Sequence, residues 1–430
     1  MFSRNKLDRR MIIVRASGFV SGPNRALNLG DMAQQLRAIA MLKDRFPGHE
    51  IITMANSLSD GKLPISDGLD SNLVGYIGRP PAGIKRAGVL GLKVMWLIIN
   101  AFILRVFRVT LIKHDGCRAL RELDGAKFLF FAGSGTLNQV YVHGVGALWL
   151  LTMLLGRILG KPIILIGQQI GPFEHGVLVR IIGRVLSIAT YLGCRDQESV
   201  ALASSLVGVR TQVRYSGDEG GYLPPASYLE GYSILNSVGV RPGFVAVHVR
   251  IDANCPFSPW LDRYAEIIDL VARTLGRQVL LVPMAYRGDH DDRVALRLLS
   301  SIMRTSCVLL ECESPKLTKA CLAHAALGIG VANHFVIFAA SVGVPCISIH
   351  ASEYMRQKLE GASGRFQHVR AYPVEGLQGE TLLAECVGLA KPSVACEKPE
   401  SFDPQLPEGY WDWLAALQES GVTISEPIER

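Results

Sequence analysis

The stretch LGIGVANHFVIFAASVGVPCISI, residues 327–349, leaves this chain few folds to adopt. Its apolar opening, 327–332, has the length of a strand buried on both faces, which points to a parallel sheet. Asn333 falls where a helix N-cap belongs, and His334 stands one step inside. Phe335, Val336, Phe338, Ala339 and Ala340 continue as a buried helix, Gly343-Val344-Pro345 stops it, and a second apolar run, 346–349, follows at once. In open α/β sheets ligands bind beyond the carboxyl ends of the strands, where a helix N-terminus offers N–H groups to an anion. That logic places His334 in a site; the alternative is a capping or packed histidine.

The same alternation runs through the rest of the chain. Residues 11–14, 50–54, 127–132, 162–166 and 211–215 read as strands. Helical spacing separates them over 32–46, where Asp31 is placed to cap, and over 177–188 and 200–206. Residues 222–243 carry Pro224, Pro225, Gly231, Gly239, Pro242 and Gly243 without a sustained period and read as a linker. Beyond it, strands at 244–249, 278–283 and 307–311 alternate with helices at 261–275, 290–303 and 315–322. Two strand–helix halves predict an α/β protein with two parallel sheets covered on both faces. The expected domains are 11–222 and 240–395, followed by a connector and helix over 396–430 that packs back across the junction.

Composition narrows the function classes. The net charge of +7 is spread along the chain without a dense basic block, which disfavours nucleic acid and fits an anionic small substrate or an anionic membrane surface. Nine cysteines, none in CxxC spacing, read as buried free thiols of a reducing compartment. The N-terminus lacks a signal-peptide core, so a cytoplasmic location is expected, peripheral at the inner face of a membrane at most. Residues 89–107 test that reading. They are strongly apolar, but Lys93, Asn100 and Arg105 interrupt them, so a buried helix is expected first and an interfacial helix second.

Several polar groups sit at predicted strand ends. Gly133-Ser134-Gly135-Thr136, with Asn138 beyond, resembles a phosphate cradle, yet lacks the Lys-Ser/Thr of a P-loop and the third glycine of a dinucleotide fingerprint. A tight turn is the plainer reading. Gln168 and Gln169 offer donors and acceptors suited to sugar hydroxyls, or form a polar turn. Arg250 ends a strand, with His248 on the same face, as a clamp for phosphate or carboxylate or as a surface ion pair. Asp289, His290, Asp291 and Asp292 fall at a helix N-terminus, where acidic residues are expected without any metal.

Seven motifs then occur in one order: Asn28-Leu29-Gly30-Asp31, residues 133–138, Gly167-Gln168-Gln169-Ile170-Gly171-Pro172, residues 195–199, Asp218, Arg250, and His334 through Pro345. Together they resemble the polysaccharide pyruvyl transferases, over roughly residues 11 to 390. The resemblance implies a GT-B-like arrangement, two Rossmann-like domains with parallel sheets facing a cleft. It implies transfer of a pyruvyl group from phosphoenolpyruvate to a sugar, with no cofactor expected and no metal ligand assigned; a lipid-linked acceptor would account for the apolar, basic residues 89–107. His334 and Arg250 would act on the donor, Asp31 and Asp218 would orient or deprotonate the acceptor hydroxyl, and Asn28, Gly30, Gly133, Ser134, Gly135, Thr136, Asn138, Gln168, Gln169 and Asn333 would line the substrates. One departure stands out: members of the family usually carry an arginine two residues before this histidine, and here that residue is Ala332.

Overall fold

The computed structural model describes residues 11–15, 27–54, 84–111, 115–174, 176–252, 255–286, 291–376, 379–391, 402 and 406–424. The chain divides into two compact units, the first formed by Met1–Pro23, Gln34–Glu219 and Leu406–Arg430, the second by Asn24–Ala33 and Gly220–Gln405. The sequence reading drew the domains as continuous stretches. In the structure a short N-terminal segment joins the second unit and the C-terminal segment joins the first.

In chain order the strands before residue 220 are β1 (Met11–Arg15), β2 (Leu27–Asn28), β3 (Glu50–Met54), β4 (Leu129–Phe131), β5 (Ser134–Leu137), β6 (Ile163–Ile170), β7 (Tyr191–Cys194) and β8 (Gln212–Tyr215). The first unit is built on a parallel sheet in the order β3-β1-β4-β6-β7-β8, with β5 pairing to β6. All eight residues of β6 are buried, as a central strand covered on both faces requires. Two expected loops therefore belong to strands. Ser134 pairs with Gln168, and Gln168 with Cys194, so ladder pairing carries β6 through both glutamines. The C-terminal helix Asp412–Glu419 returns to this unit: Trp413 is fully buried, its ring 5.5 Å from that of Phe130 and 6.3 Å from that of Phe46.

Helix Ile84–Phe107 departs from the buried-helix expectation. Leu97, Asn100, Ala101 and Leu104 face the core, whereas Val89, Leu92, Met95, Ile99, Phe102 and Val106 are exposed. Its Gly88–Phe107 portion is long and apolar enough to cross a membrane by length and composition, with 22% buried.

The second unit adds β9 (Val245–His248), β10 (Val279–Leu281), β11 (Ala285–Tyr286), β12 (Cys307–Leu309), β13 (Leu327–Gly330), β14 (Cys346–His350) and β15 (Val369–Pro373). Its parallel sheet runs β12-β10-β9-β13-β14-β15, and β2 pairs antiparallel with β11, Asn28 opposite Ala285. The expected linker contains a helix, Tyr228–Ser237, opened by a capping box in which Ser227 and Glu230 bond each other's backbone N–H. The Ser-x-x-Glu signal was present but hidden among prolines and glycines. Gly231 lets this helix meet Pro315–Leu322 closely, since a Cβ there would lie 2.5 Å from the Ala320 carbonyl. Gly231→Ala is expected to destabilise the protein in denaturant titrations. Overpacking costs roughly 1–3 kcal/mol, against a helix-propensity gain of at most about 1 kcal/mol. All eight described cysteines are free.

Candidate functional site

The second unit gathers three distant motifs around one carboxylate, that of Asp292. Asp292 opens helix Asp292–Ile302, and its side chain is fully buried. Arg250, two residues beyond the end of β9, donates to it from Nε at 2.7 Å and from Nη2 at 2.9 Å. The backbone N–H groups of Met284 and Ala285 donate to its Oδ2 at 2.9 and 2.7 Å, and His248 Nε2 lies 3.1 Å from the same oxygen. Burial alone would raise the Asp292 carboxyl, but Arg250 and His248 hold it well below the usual carboxylate range. Burial lowers His248 and outweighs the pull of Asp292, so the imidazole is neutral at pH 7. A carboxylate only accepts, so neutral His248 donates through Nε2. Burial disfavours the Arg250 cation, yet Asp292 more than compensates and raises its pKa.

The Met284–Ala285 segment also anchors the N-terminal motif. Leu29 N–H donates to the Met284 carbonyl at 2.9 Å, beside the β2–β11 pair. Asn28 Oδ1 accepts from Gly30 N–H at 2.9 Å and more loosely from Asp31 N–H at 3.4 Å, capping helix Leu29–Arg45. Asn28 is thus the cap, and Asp31 lies in the first turn, half-buried. Gly30 in turn touches His334. A Cβ on Gly30 would sit 1.8 Å from His334 Nδ1 and 2.0 Å from its Cγ, so the imidazole lies directly on the glycine.

His334 is the second residue of helix Asn333–Ser341. The N-cap is Ala332 and makes no side-chain cap bond; Asn333 is already inside the helix, contrary to the sequence reading. The residue that replaces the family arginine therefore occupies the N-cap itself. Next along the helix, Phe335 stacks on His248 with ring centroids 5.6 Å apart, and Gly330 pairs with His248 in the sheet register. Arg250 and His334 thus leave the carboxyl ends of adjacent strands, β9 and β13. The arrangement offers a guanidinium, an imidazole and a carboxylate at a sheet edge, a set suited to binding an anion and moving protons.

The first unit holds a separate polar cluster at the carboxyl edge of its own sheet. Arg195 is nearly buried and bonds Gln169 Oε1, with Asp218 at 3.7 Å and Asp196 at 3.8 Å. Gln34 Nε2 donates to Asp218 at 3.0 Å, and Gly133 admits Gln34, since a Cβ there would lie 2.8 Å from that nitrogen. Gln168 Nε2 donates to the Ala132 and Ile166 carbonyls at 2.7 and 2.8 Å. Both glutamines and Asp218 are therefore buried and engaged by protein groups. Ser134 Oγ donates to Thr136 Oγ1 at 3.0 Å, and Asn138 bonds Gly135 and Val140, which leaves Gly135 as the more open residue of that segment.

Sequence reasoning carried Arg195 only within the 195–199 motif, without a role of its own, and set Asp292 aside. Asp292 was assigned to an ordinary acidic helix start, and Asp291 does play that part as N-cap, accepting from Arg293 N–H. Its neighbour turns inward; no local pattern distinguishes the two. Asp289 and His290 lie outside the described residues. Among the described residues no group of three or more His, Cys, Asp or Glu could hold a metal ion.

The sequence model of one family, described as polysaccharide pyruvyl transferase, matches residues 28–351. No protein of curated function matches the chain in sequence. The solved UDP-GlcNAc 2-epimerase from Methanocaldococcus jannaschii resembles it with a TM-score of 0.54 at 12% identity, covering 94% of this chain and 99% of that one. The E. coli ADP-heptose LPS heptosyltransferase II aligns at 14% identity over 88% of this chain and 98% of that one, with a TM-score of 0.43. At such identities the epimerase likeness carries the fold alone: an α/β, GT-B-like class built from two Rossmann-like units.

Proposed function

This chain belongs to the polysaccharide pyruvyl transferase family, and on that premise we propose that it transfers a pyruvyl group from phosphoenolpyruvate to a sugar of a cell-surface polysaccharide or its precursor. The observation that carries the reading is the convergence of Asn28–Asp31, Arg250 and His334 in the second unit, through the Gly30–His334 contact and the Met284–Ala285 segment held by Asp292.

Phosphoenolpyruvate brings a carboxylate and a phosphate. Arg250, fixed on two nitrogens by Asp292, directs its remaining Nη1 toward one of these anionic groups. His334 protonates carbon-3, which makes carbon-2 electrophilic. A sugar hydroxyl, losing its proton to Asp31, attacks carbon-2; the bond from carbon-2 to the phosphate oxygen breaks, and a second hydroxyl closes the ketal. Two hydroxyl protons are lost, one balancing the proton gained by carbon-3 and the other leaving with phosphate. No metal or cofactor enters this scheme.

Ala332 favours a second reading, a glycosyltransferase that takes a nucleotide-sugar, because the expected donor-binding arginine is missing from the N-cap. Thermal shift separates the two. At ~100-fold over its dissociation constant, phosphoenolpyruvate should stabilise the protein by about 2.7 kcal/mol. The shift should vanish in Arg250→Ala and His334→Ala. A shift with UDP- or GDP-sugars and none with phosphoenolpyruvate would move the assignment to glycosyl transfer.

A further inference from the structure

We propose that the first unit docks on an anionic lipid surface through helix Ile84–Phe107. The helix is apolar on two opposite sides. Leu97, Ala101 and Leu104 pack into the core, so the helix belongs to the folded unit and cannot be surrounded by lipid. The other side presents Val89, Leu92, Met95, Ile99, Phe102 and Val106, three or four residues apart and each at least 39% exposed. That spacing makes one continuous stripe with no polar residue on it, far more than the scattered apolar exposure of an ordinary surface. Phe107 at the helix end, Val109 and Leu111 just beyond it, and Val177 and Ile181 on helix Gly176–Leu186 are exposed as well.

Charge selects the occupant. Helices Ile84–Phe107, Ala147–Ile158 and Gly176–Leu186 pack in that order within the unit. Among their described side chains they carry Lys93, Arg105, Arg157, Arg180 and Arg184 and no Asp or Glu. Asp124 on the adjoining helix Asp115–Gly125 is already paired with Arg108 at 3.1 Å. An apolar stripe beside basic residues fits the boundary between acyl chains and anionic headgroups, where apolar burial and electrostatic attraction add. A second copy of the same surface would place these like charges against each other.

Co-sedimentation with vesicles tests the proposal without any turnover assay, so its outcome is independent of the reaction. The full chain should bind vesicles of equal phosphatidylglycerol and phosphatidylcholine, and bind pure phosphatidylcholine more weakly. Leu92→Glu with Phe102→Glu should weaken binding by roughly tenfold or more, with circular dichroism unchanged because both positions are exposed. Should that variant fail to fold, Arg180→Glu with Arg184→Glu, also exposed, should weaken binding to the anionic vesicles selectively. Absence of binding to the anionic vesicles, or binding that neither pair alters, would overturn it. So would a lipid-free dimer that Leu92→Glu with Phe102→Glu converts to monomer, which would assign the stripe to a second copy.

Discussion

Asp292→Asn is expected to lower the unfolding free energy of the second unit by about 3–5 kcal/mol and to abolish the donor-induced thermal shift. The size follows from what the carboxylate holds. Two charge-assisted bonds from Arg250, two backbone N–H groups and His248 all converge on a fully buried group. Asparagine keeps the shape but presents an NH2 to a set of donors and leaves the guanidinium without its counter-charge. The pH dependence has a definite sign. The Asp292 pKa is depressed in the folded state, so its contribution is complete above the unfolded carboxylate value of about 3.9 and is lost as pH falls through the folded value. His248 adds a second, milder acid dependence. Its folded pKa is also depressed, so the unfolded chain takes up the proton first and stability declines as pH drops below about 6.5. Denaturant titrations of both proteins at pH 7 and pH 3 read this directly. A neutral-pH difference under about 1 kcal/mol would mean that Arg250 finds another partner and that the carboxylate is dispensable.

Gly30→Ala is expected to have its largest effect on turnover, with an overpacking cost of roughly 1–3 kcal/mol in stability. The added methyl falls 1.8 Å from His334 Nδ1 and 2.0 Å from Cγ, so the imidazole must leave its position. Gly30 lies inside helix Leu29–Arg45 without a positive φ, so the backbone accepts alanine and propensity improves. If His334 is the general acid, kcat should fall by about 10²–10⁴, the usual contribution of such a group. Adding Gly30→Ala to His334→Ala should then cost little more, because both remove the same interaction. Gly388→Ala, where a Cβ meets nothing within 4 Å, serves as the control. Unchanged turnover in Gly30→Ala would remove His334 from the chemistry.

The two parallel sheets were legible because buried apolar strands, such as the IILI run of β6 and the strands of the 327–349 unit, have no other stable use. Boundaries were less so. Gln168 and Gln169 read as loop residues because they are polar, yet ladder pairing on both sides of β6 keeps them in the strand. The helix Tyr228–Ser237 was obscured by its flanking prolines and glycines, although Ser227 and Glu230 announced it. Helix Ile84–Phe107 was read as buried from hydropathy, which counts apolar residues without showing that one side of the helix has no protein to meet.

The site divides in the same manner. Residue order alone pointed to His334 at the start of a helix after a buried strand and to Arg250 past a strand end, because each depends on local periodicity and on chirality-fixed βαβ geometry, whereas Asn28–Asp31 entered as a candidate through the family resemblance. Only tertiary structure decided that Asn28–Asp31 belongs with the second unit, that Gly30 is the surface against which His334 rests, and that Asp292, not its neighbour Asp291, faces inward. Those facts rest on contacts between residues from tens to about three hundred positions apart in the chain. Burial and charge pairing at such separations leave no periodic trace in a single sequence.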